Sequence, residues 1–110
     1  MRLFRKNYKI LSDEDLMQKF QNGDRYAFEE IYERYSDLLV NFLYKKLLQN
    51  YTLAEDIAQD IFTKIINKPE LFDTTKSCRT WFFTIAYNSC KNEYKKHEVR
   101  KITKNQIDEG

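Results

Sequence analysis

Glycine and proline are almost missing from this chain, two of the first and one of the second among 110 residues. A sheet needs turn chemistry at every reversal, and no stretch alternates apolar with polar residues over the length of a strand, so a β fold is excluded. Cysteine is scarce too. On one helix Cys78 and Cys90 would lie about 18 Å apart at about 1.5 Å per residue, beyond bridging distance, and they read as reduced packing residues of a cytoplasmic protein. The one histidine, His97, lies in a basic run. With no Cys-Cys or His-Glu ligand spacing and no glycine-rich phosphate loop, the sequence predicts no metal, no cofactor and no enzyme. No apolar run reaches the roughly 20 residues of a membrane span, and Arg2, Arg5, Lys6 and Lys9 break up the N-terminus where a signal sequence would need to be uncharged.

What is present suffices for one core: 42% hydrophobic and 15% aromatic residues, in a chain long enough to bury roughly two-thirds of its unfolded surface. Composition and periodicity predict an all-α fold, a compact bundle of about four helices. Ser12 with Asp13, Glu14 and Asp15 behind it marks a first helix over about 13 to 22, stopped by Gly23 in the left-handed conformation. Asp24 caps a long second helix, about 25 to 49, in which Ala27, Phe28, Ile31, Tyr35, Leu38, Leu39, Phe42 and Leu43 recur at helical spacing. Thr52 and Glu55 form a capping box for the third. Residues 67–77 are an irregular connector, and Ser77 starts a fourth helix running to about Val99, after which the tail to Gly110 reads as frayed or linker-like.

Net charge is only +2, yet it is unevenly spread. Residues 12–37 hold eight acids against Lys19, Arg25 and Arg34, whereas residues 91–104 carry a net of +4, six bases less Glu93 and Glu98. Such a local excess attracts phosphate. The third helix sharpens the picture. Ala54, Ile57, Ala58, Ile61, Phe62, Ile65 and Ile66 cover one half of it, and Asp56, Gln59, Asp60 and Thr63 share a sector opposite with no base among them until Lys64. That stripe is suited to a basic partner. On the fourth helix Trp81, Thr84, Asn88, Lys91, Asn92 and Lys95 form a row of aromatic, amide and cation, with Phe82, Phe83, Ala86 and Cys90 behind. Amides can bond base edges, lysines can neutralise phosphates and an exposed ring can stack on an unpaired base, a combination suited to partly melted DNA. Periodicity leaves open whether Trp81 faces core or DNA.

Three blocks carry a family resemblance: Gly23-Asp24-Arg25-Tyr26-Ala27-Phe28-Glu29-Glu30-Ile31-Tyr32 with Tyr35 after it, Ala54-Glu55-Asp56-Ile57-Ala58-Gln59-Asp60-Ile61-Phe62, and Thr80-Trp81-Phe82-Phe83-Thr84-Ile85-Ala86-Tyr87-Asn88. In this order and spacing they resemble region 2 of bacterial RNA polymerase sigma factors of the extracytoplasmic-function type, over about residues 12–100. The resemblance implies a transcription initiation factor domain of the cytoplasm that binds core polymerase and recognises and melts the promoter minus-ten element. Asp56, Gln59 and Asp60, with Thr63 beside them, would meet the clamp helices of the beta-prime subunit. Asn88 and Asn92 would read DNA, and the connector would capture a base flipped out of the non-template strand, with Phe72 and Lys76 in its pocket. Lys91, Lys95, Lys96 and Arg100 would hold the phosphate backbone. An anti-sigma factor would be a further partner.

The resemblance also divides the chain into a basic extension at 1–11, the region 2 domain at 12–100 and, at 101–110, the start of a linker to a second, absent domain that would read the minus-thirty-five element. The sequence departs from the family in two places: Phe82-Phe83 is bulkier than the usual Leu, and Tyr87 stands where Arg is frequent. The alternative reading is a helical protein-interaction module in which both stripes meet protein.

Overall fold

The structure is a computed structural model, and it describes residues 7–47 and 49–109, with side chains as far as Glu98. Among the described residues four α-helices follow in order: α1 (Asp13–Gln21), α2 (Arg25–Lys46), α3 (Tyr51–Asn67) and α4 (Cys78–Glu109), with a 3-10 turn, Pro69–Leu71, in the α3–α4 connector. All of these described elements are helical, as the dearth of turn residues requires.

Each helix begins where a side chain accepts the amide groups left free at an N-terminus. The hydroxyl of Ser12 accepts from Asp15 N at 3.0 Å, and the carboxylate of Asp24 accepts from Tyr26 N at 3.0 Å and Ala27 N at 3.4 Å. Gly23 adopts φ of 99°, the left-handed turn between α1 and α2 that a side chain would strain. One cap differs from expectation. Asn50, not Thr52, starts α3 by accepting from Leu53 N at 3.1 Å, because α2 ends three residues early, at Lys46, and Gln49 takes a positive φ of 59° that turns the chain. Ser77 caps α4 through Thr80 N at 3.3 Å.

α2 lies at the centre and packs on α1, α3 and α4. Its buried row Ala27, Ile31, Tyr35, Leu39, Leu43 meets Leu16 and Met17 of α1, Ala54, Ile57, Ala58, Ile61, Phe62 and Ile65 of α3, and Cys78, Phe82, Ala86 and Cys90 of α4. Rings dominate the middle: Tyr35 stacks on Phe82 at 4.5 Å, and Phe62 contacts Tyr32 at 4.8 Å and Phe82 at 5.9 Å. Aromatic pairs at such distances add about 0.5–1.5 kcal/mol each beyond the area they bury. Two apolar residues expected in the core stand outside it. Ile66 is 51% exposed and Leu38 41%, since each falls at the edge of its helix's apolar arc.

An ion-pair hub anchors the start of the domain. Arg34 donates to Asp13 at 2.8 Å, to buried Glu30 at 3.1 Å, and to the carbonyls of Leu11, Tyr8 and Lys9 at 2.9, 3.1 and 3.2 Å. The Tyr35 hydroxyl also bonds Asp13, and burial together with that bond pushes the phenol pKa far up. Helix α4 extends past the bundle. It continues to Glu109, ten residues beyond the end expected at about Val99, because no glycine or proline interrupts Lys101–Glu109.

Candidate nucleic-acid and partner interfaces

On α3 the four residues of the expected partner stripe, Asp56, Gln59, Asp60 and Thr63, are all exposed. Neither carboxylate has an ion-pair partner among the described residues. Gln59 is held: its amide donates to the Tyr32 hydroxyl of α2 at 2.9 Å, and Thr63 Oγ1 donates back to the Gln59 carbonyl at 2.8 Å. Two fixed polar groups thus sit among two unpaired carboxylates, an arrangement ready for a cationic partner.

The second surface is made by α4 and the connector before it. A concavity of about 390 Å³ opens between them, lined by Leu71, Asp73, Lys76, Ser77, Thr80, Trp81 and Thr84. Trp81 is half-buried, so part of it packs on the core and part of it faces the concavity. One side of its indole meets Phe72 edge-on at 5.1 Å and Phe82 at 5.4 Å, while the remainder walls the concavity. Phe72 itself corrects an expectation. At 2% exposure it is core, and its ring supports Trp81 from beneath instead of lining the pocket. Burying an aromatic ring is favourable enough to draw it from a short connector into the apolar space under the indole. Lys76 is exposed and lines the concavity.

The connector is held in place from both ends. Gln21, the last residue of α1, donates its amide to the carbonyls of Pro69 and Phe72 at 2.9 and 2.8 Å. Glu14, also on α1, accepts the backbone N–H of Cys78 at 3.0 Å and so adds a carboxylate to the positive end of α4. Between them Asp73 closes a turn by accepting from Thr75 N at 2.9 Å and Thr75 Oγ1 at 2.6 Å, and these bonds lower its carboxyl pKa. None of these three residues was expected at the site. Gln21 and Glu14 are remote in sequence and carry no periodic signal, while an Asp two residues before Thr in a loop is a readable turn signature.

Asn88 and Asn92 are exposed on successive turns of α4, one turn beyond Thr84 of the pocket wall, and Lys91, Lys95 and Lys96 are exposed with them. The side chain of Arg100 lies outside the described residues, as do Arg2, Arg5 and Lys6 of the basic extension. A second depression, of about 410 Å³, was not expected at all; Arg79, Thr80, Phe83, Thr84 and Tyr87 line it.

Asp13, Glu14 and Cys78 bring their ligand atoms within 4.8 Å of one another. They are already engaged: Asp13 by Arg34 and Tyr35, Glu14 by the Cys78 amide, and the thiol pKa is driven up by burial, which keeps sulfur protonated and a poor ligand. This cluster locks α1 to α4 rather than holding a cation.

Four packed helices that carry an acidic ridge on one member and an aromatic, amide and lysine surface on another form an all-α unit with two chemically distinct faces. A family model described as Sigma-70 region 2 matches residues 31–100, and the chain belongs to that family. Among curated proteins it is 33% identical to RNA polymerase sigma factor YlaC of Bacillus subtilis over 74% of this chain and 49% of that protein. It is 30% identical to the ECF RNA polymerase sigma-E factor of Haemophilus influenzae over 74% and 42%. The chain therefore spans about half the length of the curated relatives it matches, or less. Among solved structures it is similar to an engineered region 2 of sigmaE determined by NMR in complex with GTAAAA, with a TM-score of 0.70, 27% identity, and coverage of 82% of this chain and 93% of that one.

Proposed function

We propose that this domain acts in transcription initiation, docking on core RNA polymerase through the α3 stripe and recognising and opening the promoter minus-ten element through α4 and the connector. The observation that carries the reading is the Trp81-walled concavity, with Lys76 on its wall and Asn88 one turn along α4, on a fold similar to a region 2 in complex with GTAAAA. Extruding a base from the duplex costs a few kcal/mol of stacking and pairing. Stacking on an aromatic ring returns about 1–3 kcal/mol, and the hydroxyls of Ser77, Thr80 and Thr84 offer hydrogen bonds to the base edge. Asn88 and Asn92 read sequence, whereas Lys91, Lys95, Lys96 and Arg100 hold the backbone.

The opposite signs of the two faces support two different partners. Asp56, Gln59 and Asp60, with Thr63, meet the clamp helices of the beta-prime subunit, where charge complementarity contributes orientation and association rate. An anti-sigma factor that covers either face would silence the domain, and the site of action is the cytoplasm. The work is binding, not catalysis. Burial raises the pKa of both cysteine thiols, and the one imidazole stands exposed on the α4 extension.

The test combines a gel shift on a single-stranded minus-ten oligonucleotide with retention on purified core polymerase. Binding to both, each lost through substitutions on its own face, supports the proposal. Retention of protein partners by both faces with no DNA shift would establish the protein-interaction module in its place.

A further inference from the structure

Three of the cation–ring contacts of the described residues gather on one seam between α2 and α4. Arg79 lies over Phe83 at 5.4 Å, Lys91 over Tyr87 at 5.4 Å and Lys46 over Phe42 at 5.8 Å, while Phe42 meets Phe83 edge-on at 5.3 Å. On α4 the members fall at positions 79, 83, 87 and 91, an i, i+4 series one step around the helix from Thr80, Thr84, Asn88 and Asn92. The series is half solvent-facing. Phe83 is partly buried against Phe42, but Tyr87 is 52% exposed, with its ring forming one wall of the 410 Å³ depression.

We infer that this depression is a second nucleotide subsite, in which a base of single-stranded DNA stacks on Tyr87 while Arg79 and Lys91 neutralise the adjoining phosphates; the inference rests on the DNA-binding reading of α4. Three features point to this occupant. None of the five lining residues is acidic, and Arg79 is cationic, so a polyanion is matched and a cation is not. The exposed ring with a lysine held against it offers a flat π face beside a positive charge, the pairing by which single strands are bound without base readout. The depression is also continuous with the first pocket, for Thr80 and Thr84 line both. A strand whose flipped base enters beside Trp81 would cross this threonine ridge and reach Tyr87 next.

Two measurements on the chain test the assignment. The first is fluorescence anisotropy with a fluorescein-labelled pool of single-stranded dodecamers of randomised sequence at low salt. The Tyr87→Ala variant is expected to bind about five-fold or more weakly, the low end of the loss for one stacked base, and Tyr87→Phe to bind like the parent. The second uses tryptophan as a local reporter, because Trp81 is the chain's one tryptophan. DNA should quench the native Trp81, and it should quench the new indole in a Trp81→Phe, Tyr87→Trp protein. If Trp81 is quenched while Tyr87→Ala binds normally and the indole at 87 is not quenched, the second subsite is refuted and the first stands. If the pool neither binds nor quenches Trp81, the DNA-binding reading falls and takes this inference with it. Binding of oligo-glutamate, but not DNA, with the same dependence on Tyr87 would assign the seam to an acidic protein partner and overturn the proposal.

Discussion

Gln21 donates its side-chain amide to the carbonyl of Phe72 at 2.8 Å, across 51 residues of chain. The same nitrogen also serves Pro69, so one α1 side chain fixes the backbone on either side of Leu71, a residue that lines the Trp81 pocket. Two hydrogen bonds contribute about 0.5–1.5 kcal/mol each. Gln21→Ala should therefore lower stability by about 1–3 kcal/mol in urea and weaken oligonucleotide binding while sparing core polymerase binding. Gln21→Glu should do worse, since it faces two carbonyl acceptors with a third acceptor. Equal oligonucleotide affinity for all three proteins would show that the clamp does not shape the pocket.

The exposure of Asp56 and Asp60 permits a separation of fold from docking. Surface substitutions away from caps and buried networks change stability by about 0.5 kcal/mol or less. Asp56→Arg with Gln59→Ala is expected to leave the melting temperature near that of the parent and to abolish retention on core polymerase. Tyr32→Phe removes only the hydroxyl that orients Gln59, and an intermediate loss of retention is expected. Full retention by the double variant in a pull-down would remove α3 from the polymerase interface.

Most of the architecture was legible in the sequence because short-range physics determines it. Caps such as Ser12 and Asp24 bond amides two or three residues away, and the apolar spacing of α3 specifies which half is buried. Where two caps competed, local pattern chose wrongly: Thr52 and Glu55 form a recognisable box, yet Asn50 starts α3 because the chain turns at Gln49. The site was legible only in outline. Exposure of Asn88 and the α3 stripe follows from periodicity, but the burial of Phe72 depends on space under Trp81 that only the tertiary packing creates. Gln21, Glu14 and Arg34 reach groups as far as 51, 64 and 26 residues away, and nothing in the neighbouring sequence signals such reach. Tyr87 reads along the sequence as a missing arginine. In three dimensions it is a ring with Lys91 over it.

Glu30 and Arg34 should behave as a coupled pair. Glu30 is buried, its Oε1 accepts from Arg34, and its Oε2 has no partner among the described residues. Arg34→Ala leaves a buried carboxylate uncompensated and frees three backbone carbonyls, for an expected loss of about 3–5 kcal/mol. Adding Glu30→Leu should recover part of that loss, because the stranded charge is gone. A double-mutant cycle by chemical denaturation checks it, and strict additivity would show that the two residues act independently.

Asp73 gives the connector an acid limit. Its hydrogen bonds from Thr75, side chain first and then backbone, lower its carboxyl pKa in the folded state. A depressed pKa means that the contribution is fully present above the ordinary carboxylate range and is lost as pH falls through the lowered value. Oligonucleotide binding should accordingly hold through mild acid and fall only below that range. In Asp73→Ala the turn is weakened at every pH, so affinity at neutral pH should drop and this acid-side step should disappear from the binding profile.

Asn88 and the lysines beyond it should separate by the kind of loss they produce. An amide that reads a base edge discriminates among sequences, whereas an ammonium on a phosphate does not. Asn88→Ala is expected to flatten the ranking of single-stranded oligonucleotides that differ at one position, with about 1–3 kcal/mol of discrimination lost. Lys91→Ala and Lys95→Ala should weaken every oligonucleotide alike and reduce the salt slope, log K against log salt, by about 0.7 for each phosphate contact removed. Titrations of each variant at several salt concentrations measure both quantities at once. If Asn88→Ala changed the slope without changing the ranking, Asn88 would belong with the backbone contacts, and sequence discrimination would have to come from the connector pocket alone.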